Sequence, residues 1–222
     1  MTKIVVFDLD GVLVNIDSSW EFVHEHFGVN NNESLQAYLK SEINDEEFMK
    51  RDIMLWLKNG NLHISKIEGI LKDVPIMAGA KETIHELKQY GIKTAIISGG
   101  LDILAERVKR ALGIDYSIAN SLATDSKGFL LGYGILNVAL TDKATPLKRL
   151  LASTGIKAED CVAVGNSRFD ISMFEVAGFN IAFNACDELV KRYADVIVNS
   201  ENLIRILPYI IPSVQKAACQ IK

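Results

Sequence analysis

Asp8-Leu9-Asp10-Gly11-Val12 sets two carboxylates two positions apart, directly after the apolar run Ile4 to Phe7. At the end of a strand such a pair can face one crevice, where one carboxylate attacks an electrophile and the other handles a proton. The same residues can also form a plain acidic turn. They do not make a calcium loop: Val12 stands where a third oxygen ligand is needed, Gly11 comes too early, and a strand rather than a helix precedes them. Ser98-Gly99-Gly100 offers a hydroxyl and a backbone that a ligand can approach closely, just before a helix whose first N–H groups favour an anion. Alone it is equally an ordinary strand-to-helix turn. Lys143 follows Thr141-Asp142 near a helix start, where the dipole disfavours a cation, so it is either held for function or simply solvated. Gly165-Asn166-Ser167-Arg168-Phe169-Asp170 carries side-chain oxygens at 166 and 170 that can point at a metal beside Asp8. Read alone, Asp170 is an acid in the first turn of a helix, a favourable place for one.

The elements around these residues give them a common address. Ile4 to Phe7 is a buried-strand signal, and similar runs recur at Thr94 to Ile97, Cys161 to Val164, Ile181 to Phe183 and Val196 to Val198. Helical patterns over Ala80 to Tyr90, Leu101 to Leu112, Ala144 to Ser153, Ser167 to Ala177 and Asp187 to Tyr193 separate most of them. Strands alternating with helices predict a Rossmann-like α/β fold, a doubly wound parallel sheet covered on both faces. Two segments break the alternation. Residues 17–74 carry no convincing strand and predict a helical insert after the first strand, with one helix over Asp45 to Lys58. Leu122 to Leu140 alternates weakly around a Ser126-Lys127-Gly128 turn and predicts a β-hairpin flap. The core then comprises 1–16 and 75–222. In the tail, Ile210, Val214, Ala217 and Ile221 at helical spacing predict packing on that core. All four polar motifs end a strand or begin a helix, so they converge on one sheet edge. A nucleophilic carboxylate, a metal site, an anion cradle and a cation are what phosphoryl transfer needs, because its catalysis is mostly positioning and charge neutralisation.

Bulk properties narrow the partners. With 24 Lys and Arg against 28 Asp and Glu, and no basic block, nucleic acid and anionic membranes are not expected partners. No apolar stretch reaches the roughly 18 residues of a membrane span. Cys161, Cys186 and Cys219 form no close pair, which suits a reducing cytoplasm. His24 and His26 are two apart and do not share a helix face, and Trp20 and Trp56 read as core of the helical insert.

The sequence resembles the haloacid dehalogenase superfamily, and within it the phosphoserine phosphatase-like branch. Asp8 to Val12, Ser98 to Gly100, Lys143, and Gly165 to Asp170 running into Ile171-Ser172-Met173-Phe174 match its four motifs in order. The resemblance implies a magnesium-dependent phosphomonoesterase acting on a small polar phosphate ester through an aspartyl-phosphate. It implies that Asp8 attacks phosphorus and that Asp10 protonates the leaving alcohol, then activates water, its backbone carbonyl meeting Mg2+. It implies that Ser98, Gly99 and Gly100 hold phosphoryl oxygens and that Lys143 offsets charge. Asp8, Asp10, Asn166 and Asp170 would surround the metal. Residues 17–74 would be a mobile cap, with Asp17 and Arg51 meeting the amino and carboxylate groups of a phosphoserine-like substrate. Two positions depart from the pattern: Asn166 stands where the family usually has Asp, and Phe169 where the branch usually has Asn. A catalytically weak binding or regulatory protein, and phosphotransfer to an alcohol, are the alternative functions.

Overall fold

The computed structural model describes residues 1–58, 60–185 and 187–211. The chain opens with β1 (Ile4–Phe7), followed by α1 (Ser19–Phe27), α2 (Asn32–Leu39), α3 (Asp45–Trp56), α4 (Ile64–Leu71) and α5 (Ala80–Gln89). Next come β2 (Lys93–Leu101), α6 (Asp102–Leu112), β3 (Tyr116–Thr124), β4 (Leu130–Ile135) and α7 (Ala144–Thr154). The chain continues through β5 (Cys161–Gly165), α8 (Ile171–Phe174), β6 (Phe179–Phe183), α9 (Glu188–Lys191), β7 (Val196–Val198) and α10 (Leu207–Ile210). One sheet runs in the order β4-β3-β2-β1-β5-β6-β7. All neighbours pair parallel except β4, which is antiparallel to β3 at the edge.

β1 lies at the centre because every one of its residues is apolar and can be buried on both sides. Its side chains alternate between two cores: Val5 and Phe7 join the cluster under the helical insert and α5–α6, while Ile4 and Val6 join that under α7–α8. From β1 the chain winds first toward β4 and then, through β5, the other way. The reversal opens a crevice past the carboxyl ends of β1 and β5, the usual place for a ligand in such sheets.

The predicted insert contains α1 to α4. Ser18 caps α1 by accepting from Glu21 N, and Asn44 caps α3 by accepting from Glu47 N. Helix α3 lies tight against β4: a Cβ on Gly134 would meet Met49 Sδ at 2.8 Å, and one on Gly132 would meet Met54 Sδ at 2.9 Å. Among the described residues no helix is long and apolar enough to cross a membrane.

Three expectations need correction. The expected hairpin is present, with Ser121 to Thr124 of β3 antiparallel to β4, but β3 begins earlier, at Tyr116, and its first part extends the main sheet beside β2. Tyr116-Ser117-Ile118-Ala119-Asn120 mixes polar and small residues, so no apolar run announced it. Ser98-Gly99-Gly100 does not follow β2 but lies within its final stretch, where the register with β3 shifts between Ile97 and Leu101. The single helix expected over Ser167 to Ala177 is a 3-10 turn, Arg168–Asp170, leading into the short α8. In the tail, Ile210 is buried in the core as expected. Val214, Ala217 and Ile221 lie outside the described residues.

Candidate active site

Asp8 follows β1 directly and is 6% exposed. Its Oδ1 accepts from Leu9 N at 2.7 Å and lies 2.8 Å from Lys143 Nζ. Lys143 precedes α7, is buried, and donates at 2.7 Å to Asp170 Oδ1. Burial raises the pKa of Asp8, with Lys143 pulling it back down and Asp170 pushing it up. For Lys143 burial disfavours the charge, but Asp170 and Asp8 together outweigh it and hold the ammonium protonated, above its ordinary range.

Asp10 has two unlike oxygens. Its Oδ2 accepts from Ser19 N and Ser19 Oγ, each at 2.9 Å, at the first residue of α1. Its Oδ1 is buried and has no hydrogen-bond partner among the described residues. Burial and then the neighbouring Asp8 push the Asp10 pKa up to about 7. With Oδ2 held as an acceptor, the proton of the neutral form belongs on Oδ1. Asp10 can therefore give or take a proton at one defined atom near neutral pH.

The second motif closes the other side. Gly100 N donates to Ser98 Oγ at 3.1 Å, which leaves the hydroxyl proton for another acceptor. The Gly99 carbonyl receives Trp20 Nε1 at 3.1 Å and Asn120 Nδ2 at 3.0 Å, so this peptide is clamped. A Cβ on Gly100 would stand 2.6 Å from Ser19 Oγ and 2.8 Å from Asp10 Oδ2, so position 100 has to be glycine for Asp10 to keep its partners.

In the fourth motif Asp170, expected as a metal ligand, has both oxygens engaged by the protein. Oδ1 receives Lys143, while Oδ2 receives Asn166 N at 2.9 Å, Ser167 N at 3.0 Å and Ser167 Oγ at 3.3 Å. This bonding folds the turn back on itself and interrupts the expected helix. It also brings Asn166 over the first motif: a Cβ on Gly11, whose φ is +73°, would lie 2.0 Å from Asn166 Nδ2. Among the described residues no three His, Cys, Asp or Glu side chains form a metal cluster. The resemblance leaves the Asp8 carboxylate, the Asp10 backbone carbonyl and the Asn166 side chain as the metal-facing groups, and their oxygens are hard ones of the kind Mg2+ takes. Asp8 and Asp170 outnumber the single ammonium of Lys143, so one more cation fits the charge of the site even before a phosphate enters.

Arg51 and Asp17 are not where the resemblance put them. The cavity of about 320 Å³ that adjoins Gly99 and Phe169 is faced by Asp45, Phe48, Met49 and Asp52 of α3, the i, i+3, i+4, i+7 positions of one helix face. Arg51 lies off that face, donates to Glu47 Oε1 at 2.9 Å, and lines a separate outer cleft. Asp17 is exposed in the link before Ser18 and does not line the cavity. Two further residues, Ser19 and Asn120, hold the site together. Ser19 also accepts from Leu101 N at 3.0 Å, joining α1 to the second motif. Buried Asn120 ties Gly99 to the loop after β4 by donating to the Val138 carbonyl at 2.9 Å. Ser18-x-x-Glu21 is a readable helix start that could have led to Ser19; nothing local marks Asn120.

A family model for haloacid dehalogenase-like hydrolases matches residues 2–178. The chain belongs to the haloacid dehalogenase-like hydrolases. It is 36% identical over 212 residues to the phosphoserine phosphatase of Methanocaldococcus jannaschii, covering 94% of this chain and 97% of that protein. It is 34% identical over 206 residues to the phosphoserine phosphatase of Archaeoglobus fulgidus, covering 91% of this chain and 58% of that one. A solved phosphoserine phosphatase with a phospho-aspartyl intermediate analogue superposes with a TM-score of 0.80 at 35% identity, over 94% of this chain and 99% of that one. This member of the family is an enzyme, a hydrolase acting on phosphoric monoesters.

Proposed function

We propose that this haloacid dehalogenase-like hydrolase cleaves a small phosphate monoester through an aspartyl-phosphate on Asp8, with Mg2+ as cofactor. The observation that carries the reading is the pairing of Asp8 with Lys143 beside Asp10, whose Oδ1 is buried and without a hydrogen-bond partner among the described residues. The solved relative with a phospho-aspartyl analogue supports the same intermediate.

Asp8 attacks phosphorus, forming a carboxyl oxygen–phosphorus bond as the ester P–O bond breaks. Asp10 Oδ1 gives its proton to the departing alkoxide. The Ser98 hydroxyl and the Gly99 N–H donate to phosphoryl oxygens, and Lys143 stays cationic against the growing charge. Asp10, now a carboxylate, takes a proton from water; the water oxygen attacks phosphorus, the bond to Asp8 breaks, and phosphate leaves. Mg2+, when bound, would be held by Asp8, the Asp10 carbonyl and Asn166, and would supply positive charge against the phosphate dianion. Asp170 holds Lys143 and the turn that carries Asn166.

The names of the relatives favour phosphoserine as the ester. Against it, the two residues thought to meet its amino and carboxylate groups, Asp17 and Arg51, both stand outside the cavity beside Gly99. The test of the reaction is trapping. Radiolabelled ester with Mg2+ should leave a hydroxylamine-labile label on the protein that is absent in Asp8→Asn, and excess chelator should stop turnover. A label retained in Asp8→Asn overturns the assignment of the nucleophile.

A further inference from the structure

The cavity that shares Gly99 with the second motif has a lining unlike one made for an amino acid. Seven of its lining residues are large and apolar, among them Trp20, Phe48, Met49, Leu136, Leu140 and Phe169. Among the described residues no Lys, Arg or His lines it. A substrate carboxylate entering here would lose water and meet no cation, which disfavours it.

Two of its three acids are engaged by the protein's own donors. Asp52 is 3% exposed and fully engaged inside the helical insert. Its Oδ2 takes His24 Nε2 at 3.1 Å and Asn31 Nδ2 at 2.8 Å, and its Oδ1 takes Ser34 Oγ at 3.0 Å. The indole N–H of Trp56 donates to His24 Nδ1 at 2.8 Å, which fixes the histidine proton on Nε2, toward Asp52. Asp45 Oδ1 accepts from Tyr38 Oη at 3.1 Å and from Leu140 N at 2.7 Å. Both carboxylates therefore serve to fix α1, α2, α3 and the loop after β4 around the cavity. Glu21, the remaining acid of the lining, is exposed. Beside Ser18, Asn32 and Glu21, the surface left for a ligand is an aromatic and aliphatic wall that includes Trp20, Phe48 and Phe169. At about 320 Å³ the cavity is at the small end of ligand sites.

We infer that the specific substrate is a phosphate monoester of an uncharged, largely apolar alcohol about the size of one ring, and that phosphoserine is selected against. The inference rests on the phosphomonoesterase reading of Asp8, because it assigns the cavity to the leaving group of that reaction.

The experiment compares benzyl phosphate, O-phospho-L-serine and phosphoethanolamine with the full chain and Mg2+, reading kcat/KM for each. Calorimetry of the same three esters on Asp8→Asn reads binding without turnover. Benzyl phosphate should lead both others by at least tenfold in both measurements. Phe48→Arg, which puts a cation in the wall, should lower benzyl phosphate and raise phosphoserine. If the wild-type enzyme turns over phosphoserine as well as or better than benzyl phosphate, the inference falls and the phosphatase reading stands. A lead for phosphoethanolamine would mean that the acids read the substrate, and overturns it too. If no ester is hydrolysed yet Asp8→Asn binds benzyl phosphate best, the cavity is as argued and the reaction is wrong. Equal or absent binding of all three overturns the inference.

Discussion

The floor of the site and the wall around its cavity use their carboxylates in different ways. On the floor, Asp8 and Asp170 share one buried ammonium at 2.8 and 2.7 Å, and Asp10 stands beside them, so negative charge is in excess. In the wall, the Asp52 and Asp45 carboxylates are bound by donors of the insert and of the loop after β4. An excess makes a place for a cation and for proton transfer; carboxylates tied up by neutral hydrogen-bond donors hold the elements around the cavity in place. Reaction and selection are thus assigned to different parts of the chain, the first to strand ends and the second to helix faces.

The largest test of that division is Asp8→Asn. An amide is no nucleophile, so turnover should fall at least ~10³-fold for every ester alike. A loss confined to one ester would make Asp8 part of the selection and erase the distinction. Lys143→Met comes next. It leaves the Asp8 and Asp170 carboxylates buried without their common partner, and breaking such a pairing costs roughly 3–5 kcal/mol. The urea midpoint should drop accordingly. A loss below about 1 kcal/mol would show that water reaches the floor and that its charges are screened.

Asp10 gives a pH signature that the wall lacks. Its pKa is raised from 3.8 to about 7 in the folded protein, first by burial and then by Asp8. A raised carboxyl pKa means that the folded state holds the proton more tightly than the unfolded one. That stabilisation is fully present below pH ~4 and is lost as pH rises through about 7, and can reach roughly 4 kcal/mol at about 1.4 per unit. In chelator, wild-type stability relative to Asp10→Asn should therefore decline between pH 4 and 7. A flat difference would mean that Asp10 is solvated, and its part as proton donor would fail.

The floor was legible in the sequence because each part is a short polar motif interrupting an apolar strand-helix alternation. Asp8, Ser98, Lys143 and Asp170 come together as their positions implied. The wall was not legible. Asp52 and Met49 read as ordinary amphipathic-helix residues until α3 is rotated against Gly132 and Gly134 of β4, and that rotation is what turns Arg51 away. Asn120 was hidden for a similar reason, since it lies in a strand whose start has no apolar run. Local patterns report what a residue does to its own element. They do not report which neighbour a helix face will meet, which tertiary packing decides.

The smallest effect, and the one that most sharpens the account of the floor, comes from Asn166→Asp. The amide lies against Gly11, in space that only a glycine leaves, and a carboxylate has the same shape. The substitution exchanges the amide's N–H donors for a negative charge. The floor already holds Asp8 and Asp170 against Lys143, and Asp10 joins them as pH approaches 7. Another carboxylate deepens the excess, which should destabilise the metal-free protein and favour a divalent cation. Magnesium prefers anionic oxygens and gives up its waters reluctantly, so one added charge should tighten binding by about tenfold, or ~1.4 kcal/mol. Binding to the folded state alone raises stability with ligand concentration. The variant should thus melt lower than wild type in chelator and gain more on addition of Mg2+. The same carboxylate repels a phosphate dianion, so KM should rise even if kcat does too. Melting curves over a magnesium titration separate these effects without any turnover. If both proteins respond to Mg2+ at the same concentration, position 166 is not a ligand, and the metal is held by Asp8 and the Asp10 carbonyl without it.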